Sequence, residues 1–293
     1  MSPPPLFSLT GVSRVHPEKV RSKDFGKTGR QVSEIGLGTY YDPLWVATAF
    51  LGWRRGGAAK VEAIAAGLDA GVTLLDTAEI YGSEPLVRKA LNGRKREEIF
   101  LATKVWPNHL HRDSLIRSFN KSLKRLGTTY VDLYQVHWPN PRVPISETMA
   151  AMQQLVDEGK LMHPAVSNFN LEQLKEAQSA LPKAELASIQ LDYSLIHRHV
   201  EGDVLPYCDK EKIALLAYYP LGHGKLPSDQ RLEQASLKQG KPKAQVALRW
   251  LADKPNVFPI PRASNSAHVR ENVGAGDWQL PDGDRAELDA KFR

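Results

Sequence analysis

The 293-residue sequence contains one cysteine, Cys208, so no disulfide can form within the chain. A single thiol in a chain of this length is the usage of a reducing compartment, and the expected location is the cytoplasm. No run of about 18 apolar residues occurs, so there is no candidate for a membrane-spanning helix. The opening stretch, MSPPPLFSLTGVSRVHPEKV, lacks a charged start followed by a long apolar block, and it does not read as a secretory signal. With Pro3 to Pro5 near its start, it is expected to form a loosely held arm over residues 1–20, followed by one domain over residues 21–293. A concentrated charge of one sign is also missing. The net charge is +6, but the basic residues are scattered, and the densest run, Gly93–Glu98 (GRKREE), ends in two glutamates. That pattern reads as a solvated loop and argues against a nucleic-acid partner. No Pro/Ser-rich linker divides the chain and no short-period repeat is evident. One further absence bears on fold: Gly36–Leu44 (GLGTYYDPL) does not supply the G-x-G-x-x-G fingerprint of a doubly wound nucleotide-binding sheet.

What is present is alternation. Apolar, β-branched-rich runs at Glu34–Gly38, Val72–Asp76, Ile99–Lys104, Val131–His137, Leu161–Ser167, Ala187–Leu191, Ile213–Ala217 and Val257–Ile260 read as strands. Between them, Ala58–Ala70, Asp113–Leu126, Ser146–Glu158, Leu171–Ala180 and Pro242–Ala252 carry apolar residues at helical spacing. Asp113 is placed to cap the helix that holds Leu115, Phe119, Leu123 and Leu126, and Gly71, Gly127 and Gly159 fall where helices should stop. Eight strand–helix units in about 250 residues fit a closed α/β barrel of the (β/α)₈ kind, with a short hairpin ahead of it turning at Lys27–Gly29.

In such a barrel the chemistry sits at the C-terminal ends of the strands. The stretch LLDTAEIYGSE (Leu74–Glu84) leaves a buried strand and at once presents Asp76, Glu79 and Tyr81. The third strand ends at Lys104 and the fourth at His137; the fifth ends in Ser167 and Asn168, the sixth carries Gln190 and the seventh leads to Tyr218. Each has an ordinary structural role when taken alone. Asp76 could cap a turn, Tyr81 could pack with a wet hydroxyl, Lys104 could reach to solvent, His137 could be a hydrogen-bonded core residue, and Ser167 with Asn168 could form a turn. Together, at one barrel mouth, they are hard to explain by packing.

These blocks carry a resemblance. Gly71–Gly82 (GVTLLDTAEIYG), Ile99–Val105 (IFLATKV), Val131–Pro139 (VDLYQVHWP), Ala165–Phe169 (AVSNF), Ala217–Gly222 (AYYPLG) and Ile260–Asn272 (IPRASNSAHVREN) resemble, in order and spacing, the blocks of the aldo-keto reductases over roughly residues 20–280. The resemblance implies a (β/α)₈ barrel that binds NADPH, with NADH weaker, and reduces carbonyl groups. It implies Asp76, Tyr81, Lys104 and His137 as the catalytic set, with Tyr81 as the acid, and no metal. Hydride arriving at a carbonyl carbon leaves an alkoxide that needs a proton. A phenol has an ordinary pKa of about 10. An ammonium about 4 Å away, interacting by roughly 4 kcal/mol at an effective dielectric of 20, is expected to lower it by about two to three, with burial opposing part of this. Asp76 is expected to hold Lys104, and His137 to hydrogen-bond the substrate oxygen.

On the cofactor side, the resemblance implies Ser167, Asn168 and Gln190 at the nicotinamide carboxamide and Tyr218 stacked on its ring. Leu221 and Gly222 would lie against the pyrophosphate. Arg262 and Ser264 would meet the 2′-phosphate, His268 stands where the family often has a basic or amide side chain, and Glu271 and Asn272 would bind the adenine. Departures are His163–Pro164 ahead of Ala165, Ala263 in place of a frequent serine, and Ser194 in place of a frequent asparagine. The family's long C-terminal substrate loop has no counterpart before Arg293, so an open pocket is expected. Its walls are expected from the first loop, Thr39–Gly56, with Tyr41 and Trp45, and from Trp106 and Trp138, which suits apolar aldehydes or ketones. The small-molecule substrate is the expected partner, for a monomer or weak homo-oligomer. Two other readings stay open: a regulatory NADPH-binding subunit like the family's channel-associated β members, and an unrelated barrel hydrolase using Asp76 and Glu79.

Overall fold

The computed structural model describes residues 20–52 and 56–293. The expected arm therefore lies outside the described residues except for Val20, as do residues 53–55 of the first loop. A two-stranded antiparallel hairpin, β1 (Ser22–Asp24) and β2 (Gln31–Ser33), comes first. Eight strands then form one sheet in chain order, every neighbouring pair parallel: β3 (Leu37–Gly38), β4 (Leu74–Asp76), β5 (Phe100–Val105), β6 (Val131–Val136), β7 (Leu161–Ser167), β8 (Ser188–Asp192), β9 (Ala214–Tyr218) and β10 (Val257–Pro259). The helices are α1 (Pro43–Phe50), α2 (Gly57–Asp69), α3 (Glu84–Leu91), α4 (Arg112–Leu126), α5 (Ile145–Asp157), α6 (Leu171–Ser179), α7 (Val204–Glu211), α8 (Glu233–Gln239), α9 (Lys243–Ala252), α10 (Ser266–Val273) and α11 (Asp282–Lys291). The two edges of the sheet meet. Gly36 N–H donates to the Pro259 carbonyl at 2.9 Å and Gly38 N–H to the Pro261 carbonyl at 3.1 Å. A Cβ on Gly38 would lie 2.9 Å from the Ile260 carbonyl oxygen, so only glycine lets the backbones come this close. The result is the (β/α)₈ barrel that the alternation predicts.

β3 and β4 begin two or more residues later than their apolar runs, for a local reason. Glu34 leaves the ladder because its backbone N–H bonds the Arg21 carbonyl and its carboxylate meets Arg21 at 3.2 Å and Arg249 at 2.7 Å. At the start of β4 the N–H groups of Thr73 and Leu74 both turn to the Ser33 hydroxyl, at 3.0 and 3.3 Å, instead of to a strand partner. The expected cap at Asp113 is also corrected. α4 begins at Arg112, and the Arg112 N–H is satisfied by the Glu147 carboxylate at 3.1 Å, so Asp113 sits in the first turn, where its carboxylate meets the helix dipole and the Arg112 guanidinium at 3.6 Å. The His163–Pro164 departure leaves β7 unbroken: Pro164 still accepts from Ala187 N–H at 3.0 Å, and His163 lies parallel to Phe100.

The barrel interior holds Leu74, Phe100, Leu133, Ala165, Ala187, Leu216 and Phe258, all buried. Phe25, from the hairpin, enters from the N-terminal end, with its ring 4.7 Å from Phe100 and 4.9 Å from Phe258. Lys23 fastens the hairpin by donating to the carbonyls of Ala252, Lys254 and Val257, each at 2.8 Å. The hairpin thus plugs that end, with Phe25 at its centre. Among the described residues no helix is long and apolar enough to cross a membrane.

Candidate active site

Above the apolar interior each strand contributes its next inward residue, two positions on, and there the barrel turns polar. Asp76 (β4), Lys104 (β5), Gln135 (β6) and Gln190 (β8) form one buried network. Lys104 Nζ donates to Asp76 Oδ2 at 2.6 Å and to the Thr77 carbonyl at 2.9 Å. Asp76 Oδ1 accepts from Gln135 Nε2 and from Gln190 Nε2, both at 3.0 Å. A buried charge pair is tolerable only when its remaining lone pairs and protons are satisfied, and this pair meets that condition. The third proton of Lys104 points to the Tyr81 hydroxyl at a long 3.5 Å.

Tyr81 ends a single 3₁₀ turn, Glu79–Tyr81, closed by Gly82 in the left-handed region. Trp45 Nε1 donates to the Tyr81 carbonyl at 3.0 Å, which holds the turn from behind. The Tyr81 hydroxyl lies 3.3 Å from His137 Nε2. His137 is buried, and burial together with the Lys104 charge pushes its pKa down to about 2, so the imidazole is neutral. Its Nδ1 has no hydrogen-bond partner among the described residues, which leaves Nε2 as the nitrogen facing the mouth.

The expected lowering of the Tyr81 pKa is reversed. Burial pushes the phenol well above its ordinary value, and the nearby Asp76 carboxylate adds to the rise. The physical reason is that Lys104 does not act as an isolated cation. Its charge is matched by Asp76 at 2.6 Å, so little attraction is left to offset the desolvation of a phenolate. Burial also lowers the Lys104 pKa, with Asp76 opposing. Tyr81 therefore keeps its proton across the neutral range.

Glu79 belongs to the scaffold. Its carboxylate accepts from Trp106 N–H at 2.5 Å and meets His109 and Ser118. With Asp76 satisfied inside the barrel and Glu79 holding the loop after β5, the two carboxylates do not face a common substrate, which removes the basis of the hydrolase reading.

Beside this set lies a polar shelf. Ser167 Oγ donates to the Gln190 carbonyl at 2.9 Å, Asn168 Nδ2 donates to the His137 carbonyl at 2.9 Å, and Tyr218 OH donates to Asn168 Oδ1 at 2.8 Å. Asn168 is held at φ 62°, in the left-handed region, which asparagine tolerates better than most residues. Gln190 is in the shelf by position, but its Nε2 also bonds Gln135 Oε1 at 3.2 Å, so its amide is turned into the barrel. Leu221 and Gly222 follow β9 in a tight loop, Gly222 at φ 59°. Across the mouth, Arg262, Ser264 and His268 are exposed, Glu271 is half-buried and Asn272 is buried. Asn265 caps α10 by accepting from His268 N–H at 2.9 Å, and His268 faces Glu271 at 3.5 Å.

The expected aromatic walls divide. Trp106 stands edge-on to His137 at 5.2 Å, and Trp138 is 46 % exposed. Tyr41 and Trp45, expected as walls, are only 2 % and 3 % exposed and pack edge to face at 5.5 Å, behind the site. Thr39 sets this orientation. Its N–H and hydroxyl both bond the Asp76 carbonyl at 3.0 Å, so the chain leaves β3 with Tyr40 toward Tyr81, ring centroids 5.2 Å apart, and Tyr41 turned inward. The sequence reading missed Tyr40 and Gln135. The signal for Gln135 was available, because Leu133, Gln135 and His137 share one strand face.

A barrel plugged at one end, with a protonated phenol, a neutral imidazole and a buried lysine–aspartate pair converging at the other, is built to handle a proton at a substrate oxygen. Comparison with known proteins gives the family. The family model described as the aldo/keto reductase family matches residues 52–293. The chain is similar to the aldo-keto reductase YhdN of Bacillus subtilis (strain 168), at 40% identity over 237 residues, 74% of this chain and 68% of that protein. It is similar to the methylglyoxal reductase YeaE of Escherichia coli (strain K12), at 34% identity over 241 residues, 80% of this chain and 84% of that protein. A crystal structure of an aldo/keto reductase from Klebsiella pneumoniae in complex with NADP and acetate superposes with a TM-score of 0.82 at 33% identity, covering 92% of this chain and 95% of that one. The chain belongs to the aldo/keto reductase family and is an oxidoreductase of that family.

Proposed function

We propose that this protein reduces aldehydes or ketones to alcohols with NADPH, in the cytoplasm, using Tyr81 as the general acid. The observation that carries the reading is the convergence of the Tyr81 hydroxyl with His137 Nε2 at 3.3 Å, over a Lys104 whose other protons are bound to Asp76 and Thr77. The nicotinamide cofactor, when bound, supplies the hydride. The residues present fit such a group. Arg262 is exposed at the mouth and makes no ion pair with any described residue, and a shelf of amide and hydroxyl groups stands beside the Tyr218 ring. Ser167 and Asn168 would hold the carboxamide, with Gln190 supporting them from inside the barrel, Tyr218 the ring, and Leu221 and Gly222 the pyrophosphate. Arg262, Ser264, His268, Glu271 and Asn272 would hold the adenosine end.

The chain's own work is with protons and orientation. Neutral His137 donates a hydrogen bond to the carbonyl oxygen and aims it. Tyr81 gives its proton to the oxygen as negative charge develops there. A raised phenol pKa does not block this transfer, because an alkoxide is a much stronger base than a phenolate. The phenolate that results lies beside the Lys104 ammonium, in a site where fixed charges need no reorganisation. Tyr40, Trp106 and Trp138 offer apolar contact to the substrate, and a relative named a methylglyoxal reductase supports small dicarbonyls among the first compounds to try. The test is loss of NADPH absorbance with a panel of aldehydes, ketones and dicarbonyls. Turnover of several is expected. A protein that binds NADPH and turns over none of them is instead a regulatory subunit on this fold.

Cofactor choice gives a separate prediction. A charge-assisted hydrogen bond contributes about 1.5–3 kcal/mol, so one arginine on a 2′-phosphate gives roughly 10- to 100-fold preference for NADPH over NADH. Fluorescence titration should show that preference in the parent, weaker at high salt because the site is exposed, and near parity in Arg262→Ala. Equal affinities in the parent refute the assignment; a preference that survives Arg262→Ala moves the contact to Arg270.

A further inference from the structure

We propose that Asp192, His197 and His223 form a binding site for a divalent transition-metal ion of the zinc class at the mouth of the barrel. The three residues have no recognised metal-ligand spacing in the sequence; the fold brings them together. Asp192 ends β8. His197 follows it in a tight turn, and His223 lies in the loop after β9. His197 Nδ1 is 3.1 Å from both Asp192 oxygens, and His223 Nε2 is 3.0 Å from Asp192 Oδ2. All three ligand atoms lie within 4.8 Å of one another.

The geometry suits an ion. Zinc–nitrogen and zinc–carboxylate distances are about 2.0–2.2 Å. Two ligand atoms about 2.1 Å from one centre and 3.0–3.1 Å apart subtend roughly 90–95°, and they reach a tetrahedral edge when they separate to about 3.4 Å. Rotations of the two histidine side chains, both about a third exposed or more, would have to cover that difference and bring the two ring nitrogens, now within 4.8 Å of each other, to a common centre. The protons now shared with the carboxylate are what the ion would replace. Two imidazoles and one carboxylate select zinc, cobalt, nickel or copper over magnesium or calcium, which take oxygen ligands. Three protein ligands on one side leave open positions toward solvent.

The ligands are also held in place before any ion arrives. Asp192 pairs with Tyr218 across β8 and β9. The turn bearing His197 is closed by reciprocal backbone bonds with Ser194 at 3.0 and 3.1 Å. His223 sits at φ 54°, with its ring against Tyr219 at 3.8 Å between centroids. Gly222 lets the two loops meet, since a Cβ there would lie 2.5 Å from Ile196 Cδ1. A bound ion would therefore fasten the loop after β9 to the end of β8. Nothing in this assignment depends on the reductase reading.

The test uses untagged protein, freed of metal by chelation and titrated with zinc chloride by calorimetry and with cobalt chloride by visible absorption. One equivalent of zinc should bind, cobalt should develop visible bands, and magnesium should give neither signal. His197→Ala, His223→Ala and Asp192→Asn should each weaken zinc binding by at least about 10-fold, the lower end of what losing even an outer-sphere partner costs. Circular dichroism checks that each variant is folded. Absence of zinc binding to the parent, or zinc affinity equal to the parent's in folded His197→Ala and His223→Ala proteins, overturns the proposal.

Discussion

Replacing Tyr81 with phenylalanine should cut kcat for carbonyl reduction by about 10²–10⁴, the usual worth of a positioned acid, while NADPH affinity stays within a few-fold of the parent. The ring remains, so its contacts with Tyr40 and its place over Lys104 survive; only the hydroxyl facing His137 is lost. Steady-state kinetics with the best substrate of the panel, alongside a cofactor titration, separates the two effects. A Tyr81→Phe enzyme with near-parent kcat would sink the assignment of the acid. The pH profile sharpens the point. Because burial raises the Tyr81 pKa above its ordinary value, the phenol holds its proton as pH rises, and reduction should show no alkaline fall below about pH 10. A fall centred near pH 7–8 would mean that Lys104 outweighs burial after all.

Lys104→Met should be as damaging to kcat and should also destabilise the fold. Methionine fills most of the volume but leaves the Asp76 carboxylate buried beside two amides without a cation. Removing one partner of a buried pair typically costs about 3–5 kcal/mol. Urea unfolding should show that loss, and the activity assay should show a kcat deficit on the protein that is still folded. Stability and rate like the parent's would mean that Lys104 is a passive core residue. The acid side of the stability profile has a different source. His137 titrates at about 2 when folded and near its ordinary 6.5 when unfolded, so between these values the unfolded chain binds the extra proton. This contribution to stability is present above about pH 6.5 and is lost as pH falls through that window.

Much of this site is written in the order of the chain. A strand alternates its side chains with a period of two, so Leu74 followed by Asp76, Ala102 by Lys104, and Leu133 by Gln135 and His137 must point into one interior whatever the rest of the chain does. Because parallel strands in a barrel run the same way, their polar ends must also share one mouth. The number of strands and the shared mouth toward which Asp76, Lys104 and His137 point were therefore legible in the sequence alone. Burial and non-local distance were not. Tyr40 and Tyr41 are adjacent and identical in type, and only the bonds of Thr39 to the Asp76 carbonyl decide which one faces Tyr81. Trp45 became a support because its indole finds the Tyr81 carbonyl, a partner 36 positions away. The direction of the Tyr81 pKa depended on how closely Asp76 matches Lys104 and how little water reaches the phenol, neither of which local order encodes. Asp192, His197 and His223 met only because β8 and β9 pair and their loops touch at Gly222. Residue identity and parity follow from covalent sequence; desolvation, charge pairing and the meeting of separate loops depend on the folded distances, which only the tertiary structure sets.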